Sequence, residues 1–327
     1  MSIPQLALYQ GADREKILID GAKKEGAFML YGSHSWYRTM AKEFEKKYPF
    51  LKVNDYRADG RTLIKRSVEE IKAGQYIADV IATTGEQMDA MKREGIFQEH
   101  HVPDARYYPE DVKVKGKNGF YYVGHYETYV SLGFNTSLIP IAEAPKSMLD
   151  LLNPKWKGKM SIVNTSTGTR WIGNTLETFG RDYLEKMADQ DMKVQNMAGA
   201  ALCGLVVSGE VPLSPTIFDA NVTQAKQKGA PVDWRPLEPV VTTVAYSGLT
   251  VKAPHPHAAL LFIDWIHSKE GQQLMMKGGL WSPRDDIGSL TQKFKKSYLD
   301  EKYGVDEAEK KYAEWDGLMQ KLFIRRK

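Results

Sequence analysis

The sequence predicts an α/β protein built on parallel sheets, and three observations carry that expectation. In the first hundred residues, short apolar strands alternate with amphipathic helices, and each strand ends in small polar residues. The alternation restarts at Lys159 after an irregular stretch. Two extended segments, near 124–134 and 239–251, carry the chain out of the first unit and back again. Alternation of this kind predicts parallel strands joined by right-handed crossovers, with ligands bound beyond the carboxyl ends of the strands. Two crossings between two units predict a hinge, with the ligand in a cleft between the lobes. The expected division is lobe 1 over 1–125, lobe 2 over 126–247, a return to lobe 1 over 248–285, and C-terminal helices over 286–327 lying on lobe 2.

The first helix is expected from Asp13 to Lys24, stopped by Gly26 as a C-cap. Ala27–Tyr31 is an apolar strand that runs into Gly32-Ser33-His34-Ser35, and a helix follows from Trp36 with Ser35 as its N-cap. A second strand at Leu51–Val53 precedes Asp59-Gly60-Arg61-Thr62 and a helix from Leu63 to Ala73. The third, Asp79–Ala82, opens into Thr83-Thr84-Gly85 and another helix. Residues 102–122, rich in Pro, Tyr, Lys and Gly, read as an irregular crossing, followed by a strand at Tyr129–Asn135. Pro140–Pro154 reads as a loop with a short helix at Lys146–Leu152. Lys159–Val163 is a strand, followed by a hydroxyl-rich loop and a helix to Phe179. Beyond it come a helix over Lys193–Ser208, a short strand or turn at Pro212–Thr216, and a β-branched strand at Val240–Tyr246. His257–His267 and Glu270–Lys277 read as helices, and 291–323 as charged amphipathic helix.

A chain of 327 residues with 42% hydrophobic and 26% charged side chains has ample material for two globular lobes. The net charge of +4 is small and scattered, with no polybasic block, which argues against nucleic acid or a membrane surface as a partner. Apolar runs such as Ala258–Ile266 fall far short of the roughly 20 residues needed to span a bilayer. Cys203 is the single cysteine and lies in an apolar run, so it reads as a buried inert thiol; neither a disulfide nor a thiolate cage can form. Met1–Ala7 has neither a basic nor an apolar signal region. That fits a cytoplasmic protein, or one whose secretion signal has been removed and replaced by an initiator methionine.

Candidate binding residues follow from the strand ends. Ser33, His34 and Trp36 close the first strand, and Thr83 and Thr84 close the third, where hydroxyls and free helix-terminal amides suit an anion as well as they suit helix capping. Thr165-Ser166-Thr167-Gly168-Thr169-Arg170 offers hydroxyls, a glycine for close backbone approach, and a guanidinium fork for a carboxylate or phosphate. Thr216 and Asp219 lie in the second unit, Asp219 either as a hydrogen-bond acceptor for ligand or as the cap of a helix starting near Asn221. Tyr126, Tyr129 and Tyr246 lie on the crossings, as cleft wall or as hinge packing. His255-Pro256-His257 reads as an ordinary loop and His100-His101, beside Pro103, as solvated, and no metal site is expected. No nucleophile elbow, phosphate-binding Walker loop or His-Glu-x-x-His motif is present, only His34 and Asp219 could serve as nucleophile or base, and neither a catalytic residue nor a cofactor is expected.

An ordered set of short motifs resembles the periplasmic solute-binding proteins of ABC importers. Gly21-Ala22-Lys23-Lys24-Glu25-Gly26, Leu30-Tyr31-Gly32-Ser33 and Phe44-Glu45-Lys46-Lys47-Tyr48-Pro49 are similar to the opening of that family, especially of its ferric-ion-binding branch. Ala78–Ile81, Leu132–Thr136, Leu151–Lys159, Gln224–Val232 and Pro254–Ala259 extend the similarity over roughly residues 13 to 285. The resemblance implies a type 2 periplasmic-binding fold, a periplasmic monomer that closes on a small solute, and delivery to a membrane permease. It also implies a departure. Ferric members carry a Tyr-Tyr pair shortly after a Gly-Glu, whereas the spacing after Gly209-Glu210 places Ile217 and Phe218 there, which have no oxygen to offer iron. The leading expectation is therefore binding of a small organic anion, without chemistry. Its alternatives are a ferric or other metal carrier, a sensing subunit for a receptor, and a two-lobed transferase.

Overall fold

The computed structural model describes residues 1–34, 36–303 and 305–325. The expected N-cap Ser35 lies outside them. The chain divides into two compact units: Met1–Glu127 with Val244–Gln292, and Thr128–Thr243 with Lys293–Lys327. The described strands are β1 (Ala27–Gly32), β2 (Lys52–Arg57), β3 (Val80–Thr84), β4 (Lys113–Lys115), β5 (Phe120–Asn135), β6 (Ser161–Val163), β7 (Lys193–Gln195), β8 (Leu213–Phe218), β9 (Val232–Arg235), β10 (Val240–Leu249) and β11 (Lys296–Ser297). β5 and β10 each run from one unit into the other.

In the first unit the sheet order is β2-β1-β3-β10-β5-β4. β1 pairs in parallel with β2 and β3, as the alternation predicts. The sheet is nevertheless mixed, because β10 lies antiparallel to β3, with Ala245 opposite Thr84 and Leu249 opposite Val80. The chain re-enters this unit along β10 from the opposite end, so that strand has no crossover helix to turn it parallel.

Helices pack on the sheet through stripes of apolar residues. The helix Arg14–Glu25 buries Leu18 and Ala22 and stops at Gly26, whose φ of 69° is the left-handed cap that glycine tolerates. Beneath the sheet, Phe28, Phe44, Phe262 and Trp265 form an aromatic cluster with centroids 5.2–6.1 Å apart. The two histidines of His255-Pro256-His257 are structural. Asp79 accepts from the backbone N–H of Met29 and His255 and lies 3.0 Å from His255 Nδ1. Glu25 accepts from the N–H of His257 at 3.1 Å and of Ala258 at 2.8 Å, and contacts His257 Nδ1 at 2.6 Å. The carboxylate thus caps the helix Pro256–His267 from a distant part of the chain. Glu25→Ala is expected to cost about 1–2 kcal/mol, the usual loss for a charged N-terminal cap, read as a lower denaturant midpoint.

In the second unit, β8 and β9 pair antiparallel with the C-terminal half of β5, and β6 pairs in parallel with β7. Lys193–Gln195 is this β7 strand, where the sequence suggested helix; the helix that follows begins only at Gly199. The expected helix at Lys146–Leu152 shrinks to a 3-10 turn at Leu149–Leu152. Residues 291–323 break into short pieces before one long helix, Val305–Met319. That helix packs on the helix Ser166–Phe179: Gly173 faces Trp315, whose ring atoms lie about 2.4–2.6 Å from where a Cβ would stand, so only glycine allows the approach. The core around Trp171, Leu184, Leu213, Trp315 and Met319 is closed by it.

Candidate functional site

The carboxyl ends of β1, β2 and β3 meet in the first unit because parallel pairing holds them level: Gly32 lies opposite both Arg57 and Ala82. Ser33 N–H donates to the Ala82 carbonyl at 3.3 Å, and Thr83 Oγ1 lies 2.8 Å from Ser33 Oγ. Thr83 is fully buried and also hydrogen-bonds the Gln87 side chain. Gln87 in turn lies over Gly60, where a Cβ would collide with its amide. Thr84 is the N-cap of the helix Gly85–Arg93 but makes no side-chain cap bond. Asp59, by contrast, accepts from the N–H groups of Arg61 and Thr62, so the next helix begins at Gly60 rather than Leu63; bonds from Thr62 above all hold the Asp59 carboxyl below its usual pKa.

His34 sits exposed beyond β1, its ring edge-on to Tyr126 with centroids 5.8 Å apart. The protein packed around the exposed imidazole, and secondarily the Arg57 charge, holds its pKa below the ordinary histidine value. Tyr126 is buried between His34, Tyr37 and His125, and among the described residues its hydroxyl meets no hydrogen-bond partner of acceptable geometry. Burial raises the Tyr126 pKa, while the nearby Tyr37 hydroxyl opposes the shift. Tyr37 Oη is 3.1 Å from His125 Nε2, leaving His125 Nδ1 without a partner. Trp36 is half-buried over Gly278, and its indole N–H likewise has no partner among the described residues. Tyr246 stands opposite Thr83 in the sheet, but its buried ring packs edge-on against Tyr122 at 5.3 Å and against Gly124. It is packing, because both faces of this central strand are covered.

The second unit places its expected site residues differently. Ser166 to Arg170 are helix, not loop, with Thr165 as an N-cap that makes no side-chain bond. Ser166 is exposed, while Thr167 and Thr169 are buried, and Thr169 Oγ1 bonds back to the Thr165 carbonyl at 3.2 Å. Gly168 serves internal packing rather than ligand approach: a Cβ there would stand 1.9 Å from the Val163 carbonyl oxygen. Arg170 is 8% exposed, with its guanidinium 5.5 Å from the centre of the Tyr312 ring. The helix Val305–Met319 therefore covers the fork expected to meet a ligand. Thr216 Oγ1 accepts from Val163 N–H at 3.1 Å, and Asp219 Oδ1 accepts from Tyr129 N–H at 2.7 Å; both residues are fully buried. Asp219 lies inside the first turn of the helix Asp219–Gln227, tying it to β5, and is not a cap for Asn221. Tyr129 is buried against Phe294. Cys203 is buried, and burial raises its thiol pKa.

Sequence reasoning missed Tyr37, Arg57, Gln87 and His125. Arg57 lay outside the expected second strand, which continues four residues past Val53. Its alternating polar letters mark an edge strand, a weaker signal than an apolar run. Among the described residues, no group of three or more His, Cys, Asp or Glu could hold a metal ion, and no helix is long and apolar enough to cross a membrane.

A family model described as bacterial extracellular solute-binding protein matches residues 75–311. Iron-bound HitA from Pseudomonas aeruginosa superposes with a TM-score of 0.71 at 18% identity, covering 88% of this chain and 99% of that one. AfuA from Actinobacillus pleuropneumoniae, solved with fructose-6-phosphate, gives 0.70 at 21% identity, covering 90% and 99%. These likenesses establish a type 2 periplasmic-binding fold. An uncharacterised Haemophilus influenzae protein is 29% identical over 196 residues, 56% of this chain; the match spans about half (55%) of that curated relative's length.

Proposed function

We infer, from the premise that this chain belongs to the bacterial extracellular solute-binding proteins, that it is the periplasmic substrate-binding component of an ABC importer. Members of this family hold solutes rather than transform them, so no reaction is assigned. The solute proposed is a small organic anion, a carboxylate or a phosphate-type ester, delivered to a membrane permease.

One observation carries this reading: Ser33, His34, Thr83 and Tyr126 converge at the carboxyl ends of β1 and β3. Those ends present hydroxyl and imidazole donors and a buried phenol with no hydrogen-bond partner of acceptable geometry among the described residues. An unsatisfied buried hydroxyl costs about 1–3 kcal/mol, which a ligand acceptor would recover. Iron carriage is disfavoured because Ile217 is buried in β8 beside Phe218, and neither side chain has a donor atom.

A thermal-shift screen of phosphate esters, organic acids, neutral sugars and ferric salts tests the reading. A ligand at 100-fold its dissociation constant adds about 2.7 kcal/mol, or roughly 5–10 °C for units of this size. Stabilisation by an anion supports the assignment. Stabilisation by neutral sugars alone refutes the anion class, a coloured ferric complex refutes the disfavouring of iron, and no response to any solute sinks the reading as a whole.

A further inference from the structure

We infer that Arg57 is the cation that receives the solute, pairing its guanidinium with an oxyanion beside His34 and Tyr126. This rests on the solute-binding reading above and names the chemical group that the site selects. Arg57 is the last residue of β2, level with Gly32 of β1, and its side chain is exposed. With His34, Tyr37 and Arg38 it lines a small hollow at this edge of the first unit. Asp55, the acidic residue of that hollow, is already taken: it accepts from Arg38 Nη2 at 2.8 Å. Among the described residues, the Arg57 guanidinium has neither an ion-pair nor a hydrogen-bond partner, its backbone alone being held in the ladder with β1.

Behind the His34 ring, Tyr126, 2% exposed, has a hydroxyl with no hydrogen-bond partner of acceptable geometry among the described residues. Arg57 lines the same hollow as His34, whose ring Tyr126 meets edge-on. A free guanidinium, an imidazole and an orphaned phenol make a cluster short of negative oxygen. A planar fork satisfies two oxygens of a phosphate or carboxylate at once. Arg170, the alternative cation, is buried under Tyr312 in the second unit.

The test compares wild type, Arg57→Gln and Arg57→Lys by calorimetric titration with inorganic phosphate and with citrate, following the His34 pKa by NMR. Arg57→Gln should weaken binding of the responsive anion at least tenfold, Arg57→Lys should restore part of it, and both variants should melt with wild type because the side chain is exposed. In wild type the bound anion should raise the His34 pKa by offsetting the Arg57 charge. Equal affinity in Arg57→Gln, an unmoved His34 at saturation, or no binding of either anion overturns the inference. Stabilisation by a neutral solute, insensitive to Arg57→Gln, overturns it while leaving solute binding in place; absence of any stabilising solute removes both.

Discussion

Acidification from about pH 7.5 to about pH 4.5 is expected to lower the melting temperature of the first unit by roughly 5 °C per pH unit once below about pH 6. The cause is three histidines with no exposed surface: His125, His267 and His100, the last expected in solvent beside Pro103 but buried where its backbone bridges Phe120. Burial pushes the His100 pKa down to about 3, against a weaker upward pull from its bond to the Gln98 carbonyl. Burial likewise depresses His125, with the charge of His267 adding to it, and His267, where the Ile263 and Val123 carbonyls oppose the shift because the neutral ring can donate to only one of them. In the unfolded chain each titrates near the ordinary value of about 6.5.

Depressed histidines contribute stability that is complete above about pH 6.5 and is lost as pH falls toward their folded values, because only the unfolded chain takes up the protons. Each can lose up to about 1.4 kcal/mol per pH unit in that window. Two buried carboxylates act in the opposite sense. Burial raises Asp264 to about 6 despite Arg14, and raises Asp79 despite the backbone bonds it accepts, so both gain protons first in the folded state. Three histidines against two carboxylates leave a net slope of about 1.4 kcal/mol per unit. Melting curves across the range check it, and His100→Gln should flatten the slope whatever it does to the absolute value. A melting temperature level between about pH 7.5 and about pH 5 would refute the argument.

Gly168→Ala is expected to destabilise the second unit by about 3 kcal/mol and to lower its melting temperature by roughly 6–12 °C. Alanine in a helix is ordinarily about 1 kcal/mol better than glycine. Here the added methyl would stand 1.9 Å from the Val163 carbonyl oxygen and 2.8 Å from Met319 Cε. Met319 can rotate away; the carbonyl belongs to β6 and can yield only if the strand or the helix shifts. The methyl therefore meets main chain, and the overpacking cost outweighs the gain in propensity. Differential scanning calorimetry reads this directly. A variant that melts with wild type but binds its solute more weakly would restore the ligand-approach role for this glycine.

Local chemistry made much of this protein legible in its letters. Apolar runs ending in small polar residues marked β1 and β3, Gly26 marked a helix end, and Ser33, His34, Thr83 and Thr84 were placed at strand ends because strand direction follows from the alternation. These readings need only neighbours a few residues apart. The extension of β2 to Arg57 was hidden, since an edge strand tolerates polar residues on its open side. Tertiary contacts decided the rest. Whether Thr165–Arg170 faces solvent depends on a helix more than a hundred residues downstream, whose Tyr312 covers Arg170 and whose Met319 reaches Gly168. The antiparallel course of β10 likewise follows from where the chain re-enters the first unit. A sequence specifies what each segment prefers over a few residues, whereas burial and pairing belong to segments that meet only when the whole chain has folded.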